Sequence, residues 1–312
     1  MGSLCNCALI GMVGAGKVGA QVALELASAG VDDIRLVDVV PGLAEGEALD
    51  ISHRLSDAGI DVDVSGSTEY SSLKGAKLAI VTAGLARKPG MTRMDLLSKN
   101  AGIIASVSRE VATNAPDSII LMVTNPMDAM TYVALKTSGF PKWRVVGQGG
   151  VLDNSRFKYV LARKLGVSRS SITSLVMGEH GESMIPVASH TYVGGVALSE
   201  LMNESEIEQS IDETRSVAAA VIAKKGATIL APGSCVTRMA RAILQDRKEV
   251  LCASTLLEGE YGVRGICIGV PVRLGADGVE KVYELKLTDK ERDWFNKGAD
   301  TLKEAISSLP PL

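Results

Sequence analysis

Apolar positions in the first half of the chain come in short runs separated by amphipathic stretches. Residues 7–13 form an apolar run that ends in glycines, 17–28 repeat apolar positions at helical spacing, and 33–39 form a second apolar run closed by an acid. That is one β–α–β unit. The alternation continues with a helix expected over 44–58, a strand over 77–82, a long helix over 94–114, a strand over 118–123, a helix after Pro126 and a strand over 144–146. This order predicts an α/β fold with a doubly wound parallel sheet. Beyond about Gly149 the pattern changes: a helix over 152–165, short β-rich pieces at 172–177 and 186–192, and helical stretches across 204–245. Strands over 249–256, 265–274 and 279–287 follow, and a charged amphipathic helix over 289–307 closes the chain. The second half reads as a mixed α+β domain. The expected domains are 1–148 and 149–312, and because no low-complexity linker or internal repeat intervenes, their boundary reads as a rigid hinge.

Composition narrows the possibilities. A chain of 312 residues has room for two domains of roughly 150 residues each. With 22% charged residues and a net charge of −3, it offers no basic surface for DNA or an anionic membrane, so neither nucleic acid nor membrane is expected as a partner. Aromatics are only 4% while glycines number 32, which suits helices packed closely on a sheet better than an aromatic-cored sandwich. The five cysteines, at 5, 7, 235, 252 and 267, are odd in number and scattered, so neither a disulfide framework nor a metal-ligand spacing emerges. A reducing cytoplasm fits that usage. Residues 1–10 lack the basic cluster of a targeting peptide, and no apolar run reaches the ~20 residues of a membrane span.

The first chemistry lies at Gly14-Ala15-Gly16-Lys17-Val18-Gly19, a G-x-G-x-x-G run between an expected strand and an expected helix. Gly14 permits a tight turn, Gly16 lets backbone amides approach a pyrophosphate, and Gly19 allows close helix-to-strand packing. Asp38 ends the next strand, where a carboxylate would bond ribose hydroxyls and repel a 2′-phosphate, which favours NAD over NADP. Taken singly, the glycines could form a plain turn and Asp38 could cap the turn at Pro41.

Of three histidines, His180 lies in Gly178-Glu179-His180-Gly181, a glycine-flanked loop that would expose an imidazole. Asp153 and Arg156 share a face of an expected helix at spacing i, i+3. Residues 83–93 carry Arg87 and Arg93 in a glycine-bounded segment that reads as a mobile loop. Each feature alone has a plainer reading: a structural histidine, a helix-face ion pair, solvated surface charge. His53, expected just after a helix, and His190, expected on a strand, read as structural, and Cys235 as a small buried residue.

In this order and context the motifs resemble the lactate/malate dehydrogenase family over essentially the whole chain, from Ile10 to the terminal helix. Carrying the resemblance are the glycine run, Arg87-Lys-Pro-Gly-Met-x-Arg93, Val123-Thr-Asn125-Pro126, Leu152-Asp153-x-x-Arg156, Gly178-Glu-His180-Gly, Leu257-Glu-Gly-Glu-Tyr-Gly262 and Gly269-Val-Pro271. The resemblance implies a Rossmann-type NAD-binding domain and a second, α+β substrate domain. It implies that His180 exchanges the proton of the substrate C2 oxygen, that Asp153 orients the imidazole and that Arg156 binds the C1 carboxylate. Arg93 would close with the loop to stabilise the developing alkoxide, with Asn125 near the same oxygen. Arg87 is aimed at a C4 carboxylate, a place where the family's malate enzymes carry Arg and its lactate enzymes Gln. A dicarboxylate 2-hydroxy acid is therefore the expected substrate, with L-lactate as the alternative within the class and a non-catalytic NAD-binding sensor outside it. Asn100, Val123, Asn125 and Pro232 would line the cofactor and Thr228 the substrate pocket, and a homotetramer or homodimer is implied. The chain departs from the family's pattern at Thr228-Ile229-Leu230 and at Gln148-Gly149.

Overall fold

The computed structural model describes residues 8–86 and 92–309. Its first half runs β1 (Leu9–Val13), α1 (Lys17–Ser28), β2 (Asp33–Val37), α2 (Leu43–Ala58), β3 (Val64–Ser67), β4 (Ala76–Val81), α3 (Arg93–Asn114), β5 (Ile119–Met122), α4 (Met127–Ser138) and β6 (Val145–Gly147). These strands are short and almost wholly buried because helices cover both faces of the sheet, so apolar residues run on without alternation. All pair in parallel, in the order β3-β2-β1-β4-β5-β6. The direction of winding reverses between β1 and β4, and a crevice opens outside the carboxyl ends of strands at such a point.

The second half runs α5 (Gly149–Leu165), β7 (Ile172–Thr173), β8 (Val176–Met177), β9 (Ile185–Pro186), β10 (Tyr192–Val193), β11 (Val196–Ala197), α6 (Leu198–Leu201), α7 (Glu204–Lys225), α8 (Leu230–Leu244), β12 (Glu249–Glu258), β13 (Arg264–Gly275), β14 (Gly278–Val282) and α9 (Asp289–Ser307). The antiparallel ribbon β12–β13–β14 joins the parallel sheet through the pair Ser254–Gly147, so one sheet passes through both halves. α9 follows from its pattern. Glu291, Phe295, Gly298, Ala299 and Leu302 are buried at helical spacing, and Thr288 with Glu291 forms a capping box at its start.

Several expectations are corrected. β3 was not foreseen, since Val64-Ser65-Gly66-Ser67 reads as a turn; yet a Cβ at Gly66 would stand 2.1 Å from the Ala44 carbonyl carbon, and that closeness seats α2 on the sheet edge. The piece at 186–192 is strand only at its ends, with a 3₁₀ turn at Ala188–His190, so His190 lies in a turn and not on a strand. The last strand stops at Val282, short of residue 287. His53 lies inside α2, within the helix expected over 44–58 and not after a helix. The helical stretches expected across 204–245 are two helices, α7 and α8, parted at Gly226, whose φ of +82° ends α7.

Candidate active site

The crevice at the carboxyl end of β1 is shaped by its glycines. Gly14 has φ +102°, outside the range of other residues, and its N–H donates to Val37 O at 2.8 Å. A Cβ at Gly19 would lie 1.9 Å from Gly14 O, so only glycine lets α1 approach the turn. A Cβ at Gly16, by contrast, would project into open space, the space a pyrophosphate would need. Gly16 caps α1 without any side-chain bond, leaving the first amides of the helix for an anion. Thr82 ties this turn to β4 by donating from Oγ1 to Gly14 O at 2.9 Å.

Asp38 reaches back to the same turn. Its Oδ2 accepts the Ala15 N–H at 2.8 Å, and its Oδ1 accepts the Val40 N–H at 3.0 Å, so it caps the turn before Pro41 and is tied to the glycine turn at once. The adjoining cavity, of ≈ 840 Å³, is lined by Gly14, Asp38, Glu69, Tyr70 and Glu110 among others. Its acids are felt there: burial first, then the charges of Glu110 and Asp38, push the Tyr70 phenol above its ordinary pKa. Such a wall accepts ribose hydroxyls and disfavours an added phosphate. Glycine cradle, bare helix start and acidic wall together fit an NAD-type dinucleotide.

A bonded carboxylate–imidazole pair, Asp153 and His180, lies in the second half of the chain. Asp153 is 3% exposed on the buried face of α5, and its Oδ2 bonds His180 Nδ1 at 2.7 Å. Its Oδ1 accepts from Arg156 Nη1 at 2.8 Å. An ionised carboxylate only accepts, so Nδ1 carries the proton and Nε2 is the ring nitrogen that Asp153 does not engage. Burial pushes the His180 pKa down, but the Asp153 charge and hydrogen bond, aided by the Asp128 charge, push back further, and the net shift is upward despite Arg156. The imidazole keeps 14% exposure, enough to be reached.

The loop bearing His180 is held from several sides. Gly178 at φ +87° exchanges backbone bonds with Gly269 of β13, at 2.8 and 3.1 Å. A Cβ at Gly269 would lie 2.8 Å from Gly178 O, which explains why glycines stand in both motifs. Asp128 Oδ2 accepts the His180 N–H at 2.7 Å. Arg215 of α7 donates to Met184 O at 3.1 Å and lies over the Trp294 ring at 4.8 Å. At Gly149, a Cβ would come within 2.7 Å of His180 Cβ and 2.5 Å of Met127 Cε, and at Gly150 within 2.6 Å of Cys252 Cβ. Glycine at 149 therefore has a steric reason.

Other expected site residues are scattered around this centre. Asn100 is fully buried on α3: Nδ2 donates to Leu85 O at 3.2 Å and Asn125 O at 2.6 Å, and Oδ1 accepts the Leu85 N–H at 2.8 Å. It thus clasps the chain leading into the 83–93 segment to the end of β5. Asn125 is exposed beyond β5, and the Val123 N–H donates to Val81 O at 2.9 Å. Thr228 is half-buried between α7 and α8, and Pro232 is buried in the first turn of α8, which packs on α1. Arg87 and the side chain of Arg93 lie outside the described residues; α3, which begins at Arg93, is capped by a Thr92–Asp95 box. Cys235 is buried on α8, and burial pushes its thiol up to about 11. Among the described residues no group of His, Cys, Asp or Glu is arranged to hold a metal ion, and no helix is long and apolar enough to cross a membrane.

Asp128, Gly149, Ser254 and Gly269 were not singled out as site residues. A signal existed for Asp128: an acid three residues after Asn125, among apolar neighbours. Ser254 and Gly269 become neighbours of the site only through strand pairing, which sequence spacing does not reveal.

Comparison with known proteins agrees with this geometry. Residues 8–147 match the lactate/malate dehydrogenase NAD binding domain, and residues 150–309 match the lactate/malate dehydrogenase alpha/beta C-terminal domain. The chain is 46% identical to the malate dehydrogenase of Pyrobaculum aerophilum over 305 residues, covering 97% of this chain and 99% of that protein. It is 46% identical to the malate dehydrogenase of Thermoproteus tenax over 304 residues, with the same coverage. Among solved structures, the malate dehydrogenase from Aeropyrum pernix superposes with a TM-score of 0.94 at 40% identity, covering 97% of this chain and 98% of that one. The lactate dehydrogenase from Cryptosporidium parvum, solved with lactic acid and β-nicotinamide adenine dinucleotide, superposes with a TM-score of 0.93 at 33% identity, covering 96% and 97%. With a glycine-cradled crevice in its first half, a carboxylate-bound imidazole in its second, and both halves matched in this way, this protein belongs to the lactate/malate dehydrogenase family.

Proposed function

We propose that this chain is an NAD-dependent malate dehydrogenase that interconverts (S)-malate and oxaloacetate, and that its acid–base group is His180. The observation that carries the reading is the chain of contacts from Arg156 through Asp153 to His180 Nδ1, which leaves Nε2 available. A sensor that only bound NAD would need none of these three groups. NAD, held at the turn of Gly14, Gly16 and Gly19, would supply the hydride acceptor for C2 of malate. His180 Nε2 accepts the hydroxyl proton in that direction and returns it to the carbonyl oxygen in the other. Asp153 holds the ring in the Nδ1–H tautomer and stabilises the cation. Arg156 has one Nη engaged by Asp153 and further donors free for the C1 carboxylate, a planar fork that lysine cannot replace.

The finer assignments rest on the family resemblance. Arg87 would neutralise the C4 carboxylate, Arg93 and Asn125 the developing alkoxide, with Thr228 at the pocket wall. Gly14, Gly16, Gly19, Asp38, Val123, Asn125 and Pro232 would contact NAD, while Asn100 acts through the backbone it clasps. Residues 1–148 would form the NAD domain and 149–312 the catalytic domain. A homodimer or homotetramer, a cytoplasmic location and a place in the tricarboxylic acid cycle complete the reading; the described cysteines, 235, 252 and 267, are unpaired, as a reducing compartment requires.

His180→Asn tests the central role. It is expected to bind NADH as the parent does and to lose about 10²–10⁴-fold in turnover. Full turnover in the variant would place the acid elsewhere.

A further inference from the structure

Asp128 stands outside the relay, yet it is 2% exposed and touches the catalytic loop. It lies in the first turn of α4, and its Oδ2 accepts the backbone N–H of His180 at 2.7 Å. Its Oδ1 and the Ser254 hydroxyl on β12 are both buried and make no bond of standard geometry, though the hydroxyl is close enough to hold the Asp128 acidity up. Burial nevertheless raises the carboxyl to about 6, with the Glu179 charge adding to it and Ser254 and His180 pulling back. A buried carboxylate is a poor choice for a merely structural acceptor. Asparagine would accept the same N–H without the burial penalty of a charge. What aspartate adds is negative charge beside the imidazole.

We propose that Asp128 is a positioning residue for His180 which acts through its charge as well as its hydrogen bond. The Asp128 carboxylate, with the Ser254 hydroxyl of β12 close by, fixes the His180 main chain to α4 and works with Asp153 to favour the protonated ring. Asp153 acts at the ring nitrogen and Asp128 at the backbone, so His180 is held at two points by two acids on different helices. The titratable and charged groups that act on the pair are Glu179 of the same loop and Asp153 and Arg156 of α5, while the buried, neutral Cys267 thiol of β13 feels the Asp128 charge in turn. The significance for catalysis rests on the reading of His180 as the acid–base group.

The chain has only three histidines, at 53, 180 and 190, so each imidazole can be followed by NMR in the full-length protein without substrate. Asp128→Asn keeps an acceptor for the His180 N–H and removes the charge. The expected result is a His180 titration midpoint lowered by about half a unit or more, with a urea midpoint at pH 7 no lower than that of the parent. The alkaline limb of oxaloacetate reduction should move down by the same amount. Ser254→Ala, which lets the Asp128 carboxyl protonate more readily, should lower the His180 midpoint in the same direction. An unmoved His180 midpoint in Asp128→Asn overturns the proposal, as does an unmoved midpoint in Ser254→Ala should the first variant not fold. A midpoint that moves while His180→Asn keeps full turnover would uphold the coupling and remove the catalytic reading instead.

Discussion

At the scale of single residues, burial favours the neutral ring of His180, and the Asp153 charge and hydrogen bond outweigh it. Because the folded pKa is raised, the contribution of His180 to stability is complete below its unfolded value of about 6.5 and is lost as pH rises through the folded value. The same sign governs turnover. Oxaloacetate reduction needs the cation and should fall as pH rises through the raised pKa, whereas malate oxidation needs the neutral ring and should fall as pH drops through it. Asp153→Asn removes the largest upward influence, so both limbs of kcat/KM against pH should move acidward by about one unit or more. Limbs that stay in place would mean that Asp153 orients the ring without tuning it. Much of this was legible in the residues themselves, since an i, i+3 pair puts Asp153 and Arg156 on one helix face. Their direct ion pair was legible as the plainer alternative, and it coexists with the bond to His180. The part played by Asp128 was not legible, because it depends on the β5–α4 corner meeting a loop 52 residues further along the chain.

At the scale of elements, the close approaches are made by glycines and the helix starts by caps. Gly149 admits His180 and Met127 to the first turn of α5. Gly149→Ala should cost about 1–3 kcal/mol and lower kcat more than it raises KM for NADH, measured by urea unfolding and steady-state kinetics. Unchanged stability and kcat would show that the His180 loop yields freely. The Thr92–Asp95 box begins the helix that carries Arg93. Thr92→Ala should loosen that turn by about 1 kcal/mol, seen as faster amide exchange at the start of α3. Long periodic elements such as α9 could be read from the chain because many positions repeat one message. β3 could not be read, because four residues with a central glycine carry a turn signal that only the packing of α2 overrides. Residues 186–192 misled in the other way: apolar composition suggested one strand, and a 3₁₀ turn closed by the Val187 carbonyl divides it in two.

At the scale of the whole molecule, the β–α alternation announced the parallel sheet but not its continuation into β12–β14, which depends on the single pairing of Ser254 with Gly147. That continuation brings Ser254 to Asp128 and Gly269 to Gly178, and so the second half of the chain is built around the site it completes. On the proposed reading, the substrate's two ends would fall to different parts of the chain, Arg156 on α5 for one and Arg87 in the 83–93 segment for the other. Arg87→Gln should sharply lower kcat/KM for oxaloacetate and raise the relative use of pyruvate. The central claim, a dehydrogenase site for a four-carbon diacid, is tested most directly by kcat/KM for oxaloacetate and pyruvate with NADH under identical conditions. A preference for oxaloacetate on the order of 10⁴-fold is expected, because pyruvate would leave a guanidinium unpaired. Equal use of the two substrates, or a preference for pyruvate, would contradict it.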